Sequence, residues 1–188
     1  MNYKFGIYGD SIAFGYGNNN QSWFDELYSG NKALKLAQNG EKTEDVLRKI
    51  KQDNNRYDIL FLAVGINNLL SDAPQCNPFA IAEFISQYEQ ILLSAQDKAS
   101  KIVVQSVLPA QEKLFPNQAW LDKDKWVFYS DIEIFNQSLA NLCNKHKVQF
   151  IDAYAIFCLL NLSDIYTDGV HLNTLGQNIL ASIYKQNI

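Results

Sequence analysis

Short apolar runs alternate with longer segments of helical periodicity along the chain. The runs have the length of strands and span Tyr3–Tyr8, Ala33–Ala37, Asp58–Val64, Lys101–Val107 and Val148–Ile151. Apolar residues at helical spacing predict helices over Thr43–Gln52, Pro78–Gln96 and Ser130–Lys147, with a last helix from Thr174 onward. Thr43 and Thr174 are typical N-cap residues, and Pro78 suits a first helical turn.

The strand segments are apolar throughout, as residues 59–62 and 102–104 show most clearly. Such strands have both faces covered, which is typical of a parallel sheet between two layers of helices. We therefore predict an α/β fold and a single domain over residues 1–188. In open sheets of this kind, ligands bind beyond the carboxyl ends of the strands. The loops at that edge begin near Gly9, Asn39, Gly65, Pro109 and Asp152.

Composition narrows the classes of partner. The chain has 188 residues, 47% of them hydrophobic and 19% charged, as in a soluble globular protein. Its net charge is −4 and it has no cluster of Lys and Arg, so we expect no nucleic acid partner. The longest apolar run, Ile59–Val64, is too short to cross a bilayer, so we expect no stable membrane insertion. The oligomeric state is left open.

Cysteine and histidine usage points to neither a disulfide framework nor a metal centre. The three cysteines, Cys76, Cys143 and Cys158, are widely spaced, and free thiols suit a reducing compartment. No secretory signal precedes the first strand, so we expect a cytoplasmic location. The chain's two histidines share no acidic or thiol cluster, so we expect no metal and no cofactor.

A serine follows the first strand, at the edge where ligands are expected. In the segment 9–12 (Gly-Asp-Ser-Ile), Ser11 could present its hydroxyl to a ligand and its backbone N–H to a developing oxyanion. Taken alone, the Asp10-Ser11 pair favours a simple helix cap. Two other loops at this edge carry further hydrogen-bond donors. Gly40 allows close approach of a backbone N–H, and Asn67 carries a side-chain amide directly after the most apolar strand. Taken alone, Gly40 favours a simple turn, and Asn67 is equally typical of an ordinary loop.

The chain offers few bases that work at neutral pH. His146 lies at the predicted end of a helix, where a cation suits the helix dipole, and we assign it no function. His171 lies in a loop before the last helix, three residues after Asp168. One turn can bring that carboxylate to the ring nitrogen that does not face a serine. Together with Ser11, these residues would supply a nucleophile, a base and an orienting acid, the set that acyl transfer requires.

Four segments, in this order along the chain, resemble the sequence blocks of the SGNH hydrolases, also called GDSL lipases or esterases. They are residues 9–12 (GDSI), 39–40 (NG), 65–68 (GINN) and 168–171 (DGVH). The resemblance implies a flavodoxin-like three-layer α/β/α sandwich with a five-stranded parallel sheet. It also implies a carboxylic ester hydrolase that acts on a small-molecule ester through an acyl-enzyme.

By position, the resemblance implies a role for each of five residues. Ser11 would be the nucleophile, and its backbone N–H one donor of the oxyanion hole. Gly40 would supply a second donor through its backbone N–H, and Asn67 a third through its side chain. His171 would be the base and Asp168 its acidic partner.

Three positions depart from the usual family pattern. Ile12 replaces leucine, an exchange of nearly equal volume. Asn68 replaces the usual aspartate after the oxyanion asparagine, and thereby loses a charge that could support the loop. The glycine block, residues 39–43, is spaced unlike the common Gly-Glu-Thr form, and we keep Gly40 because no other glycine lies nearby.

Several residues near this edge have two interpretations. Asp152 is a rival to Asp168 as the partner of His171, although we expect it to cap a helix or turn. The long connection Pro109–Tyr129 is predicted to be a binding loop or lid. Some aromatic residues could either line the substrate site or pack on the core: Phe14, Tyr16, Trp120, Trp126, Phe128 and Tyr129. Trp23 and Phe24 are expected to pack on the core.

The function has alternatives that the sequence leaves open. The substrate could be an O-acetylated sugar, a thioester or a lysophospholipid. Acyl transfer to an alcohol would use the same acyl-enzyme. A binding module is the alternative from another class, either a degenerate SGNH-like domain or a phosphate binder. The five competent residues argue against the first of these, and the lack of a glycine-rich phosphate loop argues against the second.

Overall fold

A single parallel sheet of five strands runs through the computed structural model, which describes residues 2–28, 32–72, 78–116 and 124–188. The strands are β1 (Asn2–Gly9), β2 (Ala33–Lys35), β3 (Arg56–Ala63), β4 (Ala99–Gln105) and β5 (Gln149–Ile151). Their order in the sheet is β2-β1-β3-β4-β5, and every neighbouring pair is parallel. The predicted flavodoxin-like α/β fold is therefore confirmed.

Helices connect the strands. The described residues contain α1 (Ser11–Phe14), α2 (Trp23–Tyr28), α3 (Thr43–Gln52), α4 (Ile66–Leu69), α5 (Pro78–Gln96), α6 (Tyr129–His146), α7 (Ala153–Phe157), α8 (Leu162–Ile165) and α9 (Thr174–Asn187). The four long helices, α3, α5, α6 and α9, were predicted to within one residue at each end that was specified. The five short ones have four to six residues, too few for a helical period to be visible in the sequence.

The helix caps lie one residue earlier than the sequence suggested. Thr43 and Thr174 are the first residues of α3 and α9, and Lys42 and Asn173 precede them as the N-caps. The Asn173 side chain accepts a hydrogen bond from the backbone N–H of Gly176 at 3.1 Å. An amide side chain therefore caps α9, and the expectation that the two threonines are caps was wrong.

Strand β4 was predicted as Lys101–Val107 but ends at Gln105. The backbone of Val107 is diverted by a side chain from α6. Its N–H donates to Asn136 Oδ1 at 2.8 Å, and Asn136 Nδ2 donates to its carbonyl at 2.8 Å. Because one amide occupies both polar groups of Val107, this residue cannot continue the ladder with β5.

The core lies on both faces of the sheet. Phe61 of β3 is fully buried and meets Trp23 of α2 and Tyr184 of α9 on one face. Successive strand residues point to opposite faces, so Leu60 and Leu62 face the layer formed by α3, α5 and α6. The expectation that Trp23 and Phe24 pack on the core is confirmed, since they are 0% and 2% exposed.

Some sequence-based expectations concern residues that the structure does not describe. Cys76, Trp120 and the middle of the Pro109–Tyr129 connection, residues 117–123, lie outside the described ranges. The described part of that connection contains a single 3₁₀ turn, Glu112–Leu114. None of the helices within the described ranges combines the length and the apolar character needed to cross a bilayer.

Candidate active site

The turn after β1 carries the predicted nucleophile. Asp10 is the N-cap of α1, and its Oδ1 accepts a hydrogen bond from the backbone N–H of Ile12 at 3.0 Å. Ser11 follows as the first residue of the helix and is 5% exposed. The helix-cap interpretation therefore holds for Asp10, whereas the Ser11 hydroxyl faces a side chain from the far end of the chain.

That side chain is His171. Ser11 Oγ lies 2.8 Å from His171 Nε2, and His171 Nδ1 lies 2.6 Å from Asp168 Oδ2. The imidazole is buried, with 4% of its surface exposed. In such a row, a neutral histidine can take the proton of the serine at Nε2 while the carboxylate holds the proton at Nδ1.

The turn that carries Asp168 and His171 is held by hydrogen bonds to its own backbone. The N–H of Thr167 donates to the carbonyl of His171 at 2.8 Å and closes the turn. Asp168 Oδ1 accepts from the N–H groups of Val170 and His171 at 3.1 and 2.9 Å. One oxygen of this carboxylate therefore shapes the turn, while the other contacts the imidazole.

The environment of Asp168 keeps it charged. Burial alone would raise the pKa of this carboxyl, but the hydrogen bonds and charge of His171 outweigh burial and hold the pKa below its ordinary value. An ionised carboxylate at this position stabilises a positively charged imidazole. The rival acid, Asp152, is exposed and caps α7, since it accepts a hydrogen bond from the N–H of Ala155 at 3.1 Å. The expectation that Asp152 caps a helix or turn is therefore confirmed.

The two loops with the predicted oxyanion donors lie side by side. Gly40 is exposed in a turn with a φ of 78°, and a Cβ atom there would meet nothing within 4 Å. Asn67, in α4, is half-buried, and its Nδ2 donates to the carbonyl of Glu41 at 2.9 Å. Since an amide nitrogen carries two hydrogens, one contact with Glu41 leaves a second N–H for a ligand.

Asn68, the residue that departs from the family pattern, joins the same two loops. Its Oδ1 accepts from the N–H of Thr43 at 3.0 Å, and its Nδ2 donates to the Thr43 hydroxyl at 3.0 Å. The hydroxyl in turn donates to Gln87 Oε1 of α5 at 2.5 Å. An aspartate at this position could only accept hydrogen bonds from Thr43. The Asn68 amide can donate to the Thr43 hydroxyl because that hydroxyl donates its own proton to Gln87. The sequence shows that Asn68 lacks the usual charge, but it contains no signal for this chain of hydrogen bonds.

Asp10 is a second carboxyl group at the site, and its ionisation was not foreseen. It is 3% exposed, and burial raises its pKa to about 7, despite hydrogen bonds from Ile12 and Gly65 and the nearby charge of His171.

Position 65, which begins the loop of Asn67, requires a glycine. Its φ is 151°, and a Cβ there would lie 2.7 Å from a methyl carbon of Val107.

The aromatic residues after Ser11 separate into two environments. The Tyr16 ring lies 4.5 Å from the His171 ring, tilted by 54°, and is 37% exposed, so it forms part of the surface of the site. Phe14 is half-buried and packs against the core. Trp126 pairs with Ser71 through its backbone, with hydrogen bonds of 2.8 and 2.9 Å. The structure therefore places the ring of Tyr16 against His171.

Within the described ranges, no three His, Cys, Asp or Glu side chains lie close enough together to hold a metal ion. The other histidine, His146, lies at the end of α6 as expected, and its Nε2 is 2.8 Å from Glu89 Oε1 on α5. It therefore forms a surface contact between two helices.

A family model for the GDSL-like lipase/acylhydrolase family matches residues 7–179. The chain belongs to this family. The match includes all four segments named above, so the predicted family is confirmed and the protein is a hydrolase. No curated protein matches the sequence.

Solved structures of several other hydrolases share the fold. The lipase/acylhydrolase from Enterococcus faecalis is 17% identical, with a TM-score of 0.74, over 98% of this chain and 94% of that one. A GDSL-like lipase from Bacteroides thetaiotaomicron is 16% identical, with a TM-score of 0.72, over 98% and 86%. Axe2, an acetylxylan esterase from Geobacillus stearothermophilus, is 15% identical, with a TM-score of 0.70, over 98% and 93%.

We expect Asp10→Asn to change how stability depends on pH. The pKa of Asp10 is about 7 when folded, against an ordinary value of 3.8, so between these values the folded protein holds a proton that the unfolded chain loses. This stabilisation is complete below about pH 4 and is lost as the pH rises through about 7. Asparagine keeps an acceptor oxygen and cannot ionise, so the variant should avoid that loss.

The measurement is chemical denaturation of both proteins at pH 5 and pH 8. Relative to wild type, the variant should gain about 1 kcal/mol or more between the two pH values. An equal change in both proteins would show that Asp10 does not titrate in this range.

Proposed function

We propose that this hydrolase is a serine esterase that cleaves a small carboxylic ester through an acyl-enzyme on Ser11. The observation that carries the proposal is the unbroken row from Ser11 Oγ through His171 to Asp168, with contacts of 2.8 and 2.6 Å. Membership of the GDSL-like lipase/acylhydrolase family supports it. A serine-to-alanine form of Axe2 is described as a catalytic mutant, which supports a serine nucleophile on this fold.

Acylation begins when Ser11 Oγ attacks the carbonyl carbon of the ester and His171 Nε2 takes the hydroxyl proton. Asp168 accepts the hydrogen bond from Nδ1 and stabilises the positive imidazole. His171 then gives its proton to the oxygen of the departing alcohol, and the C–O bond of the ester breaks. In the second half, His171 takes a proton from water as the water oxygen attacks the acyl carbon. The bond from that carbon to Ser11 Oγ then breaks, His171 returns the proton to Oγ, and the acid is released.

The negative oxygen formed during attack requires donors. The backbone N–H of Ser11 lies in the first turn of α1, where N–H groups have no acceptor within the helix. Gly40 would add a backbone N–H from its exposed turn, and Asn67 the amide hydrogen that Glu41 does not accept. Donors held in advance stabilise the transition state more than the bound substrate.

An acetyl ester of a sugar is the substrate class that we propose. Axe2, which shares the fold over most of both chains, is described as an acetylxylan esterase. The open turn at Gly40 and the exposed ring of Tyr16 suit a substrate that approaches from the surface. A thioester and a lysophospholipid are the alternatives.

A fluorophosphonate probe should add once to the protein, on the peptide that contains Ser11. His171 lies within hydrogen-bond distance of this hydroxyl and activates it, so Ser11→Ala should abolish labelling. Ser106→Ala is the matched control, because Ser106 is also buried near this sheet edge but accepts a hydrogen bond from the N–H of Tyr154. Intact-mass and peptide spectra would reveal the adduct, and a label on a different serine would contradict the assignment.

Asn67→Ala should lower kcat about 10²–10³-fold on p-nitrophenyl acetate, with little change in KM. The amide acts on charge that develops only in the transition state, which is why kcat should carry the loss. Steady-state kinetics give both constants, and the melting temperature controls for the lost contact with Glu41. A rise in KM alone would make Asn67 a contact to bound substrate instead.

Asp168→Asn and Asp152→Asn should differ sharply. In the first, Oδ1 can still accept from the turn backbone, but the amide would favour the histidine tautomer that cannot take the serine proton, lowering kcat by up to about 10⁴-fold. In the second, kcat should stay within a few-fold, while stability falls slightly as the cap of α7 weakens. Kinetics and thermal unfolding of both variants give the comparison, and the reverse ranking would refute the role of Asp168.

A further inference from the structure

A cavity of about 360 Å³ lies beside the loops of the candidate active site. It is bounded by α4 and the segment after it, by the first two turns of α5 and by the first turn of α6. The lining residues that matter here are Lys42, Asn68, Leu69, Ile81, Phe84 and Asp131. This volume lies within the range of pockets that hold small organic ligands.

The cavity shares a wall with the proposed oxyanion loops. Asn68 lines it and directly follows Asn67, whose amide donates to the carbonyl of Glu41. Lys42 also lines it and directly follows Glu41. A substrate whose carbonyl oxygen is held by Asn67 could therefore extend into this space.

Asp131 is the unusual member of the lining. It is the third residue of α6 and is 4% exposed. Its Oδ1 is buried and, among the residues that the structure describes, has no hydrogen-bond partner. Oδ1 has almost no accessible surface, so a ligand in the cavity would contact Asp131 where the residue lines the wall, and a carboxylate there favours a ligand with a donor group.

We infer that this cavity binds the sugar part of an acetylated sugar, with Asp131 accepting a hydrogen bond from a sugar hydroxyl. A sugar ring carries hydroxyl donors on its edge and apolar C–H groups on its faces. Leu69, Ile81 and Phe84 supply apolar surface for such a face, and Lys42 a donor at the wall. The inference rests on the proposed esterase function and adds where the alcohol part of the ester binds.

The chemistry of the cavity fits the alcohol part of the substrate better than the acyl part. An acetyl group has two carbon atoms and no donor, so it would fill little of the space and would leave Asp131 without a partner. The walls of the cavity are also fixed before any ligand binds. The backbones of Ser71 and Trp126 form an antiparallel bridge with hydrogen bonds of 2.8 and 2.9 Å, which joins the loop after α4 to the loop before α6.

The test compares two esters that share the acetyl group and differ in the alcohol. Acetylated xylobiose has hydroxyl donors, whereas p-nitrophenyl acetate has none. In Asp131→Asn, the ratio of kcat/KM for the sugar ester to that for p-nitrophenyl acetate should fall about ten-fold, mainly through KM for the sugar, because a charge-assisted hydrogen bond is lost. Asp152→Asn, which removes an exposed carboxylate near the same sheet edge, should leave the ratio unchanged.

A second variant and a second readout guard against a folding defect. Phe84→Ala removes apolar surface from the wall of the same cavity and should lower the same ratio. Unmodified xylobiose should inhibit hydrolysis of p-nitrophenyl acetate by wild type competitively, with an inhibition constant that rises about ten-fold in Asp131→Asn.

Two results would separate failure of the inference from failure of the function. Wild type that cleaves neither ester would overturn the proposed function. Wild type that cleaves p-nitrophenyl acetate, with an Asp131→Asn ratio equal to its own, would overturn the sugar site and leave the esterase intact. Equal losses on both esters would make Asp131 a structural residue and would also overturn the inference.

Discussion

The hydrogen bond between Ser11 Oγ and His171 Nε2 joins residues that are 160 positions apart, and the site depends on keeping them together. One buried amide from α9 does much of this. Gln177 Nε2 donates to the carbonyl of Ile12 at 3.1 Å, and its Oε1 accepts from the N–H of Trp23 at 2.9 Å. The last helix is thereby tied to the turns that follow β1, so the loop of His171 is held against Ser11.

Two carboxyl groups near His171, the half-buried Asp168 and the buried Asp10, have pKa values shifted in opposite directions. Asp168 receives hydrogen bonds from the ring and backbone of His171, which hold its pKa low, whereas burial raises the pKa of Asp10 to about 7. The carboxyl of Asp168 therefore favours the charged form beside His171, while that of Asp10, next to Ser11 in the chain, favours the neutral form. The environment of each group, rather than its residue type, sets this division.

Much of this architecture was visible in the sequence, because each visible feature depends on neighbours in the chain. Continuous apolar runs such as residues 59–62 predicted the parallel sheet, and helical spacing predicted α3, α5, α6 and α9. The carboxyl ends of parallel strands meet at one edge, which is why Ser11 and His171 were expected together despite their separation. The end of β4 was not predicted because it depends on the side chain of Asn136, which belongs to a distant helix. The short helices were not predicted because four to six residues are too few to show a helical period.

By itself the sequence determined the fold class and the family, and it named Ser11, Asp168 and His171, which the fold brings together. Only the tertiary structure decided how Asn68 relays a hydrogen bond from Thr43 to Gln87, that Gln177 ties α9 to the first turns, and that Asp131 lies unpaired beside a cavity. Periodicity and motifs record contacts along one element or one turn. Burial and hydrogen-bond partnership depend on which distant segments come together, and a linear pattern carries no signal of that.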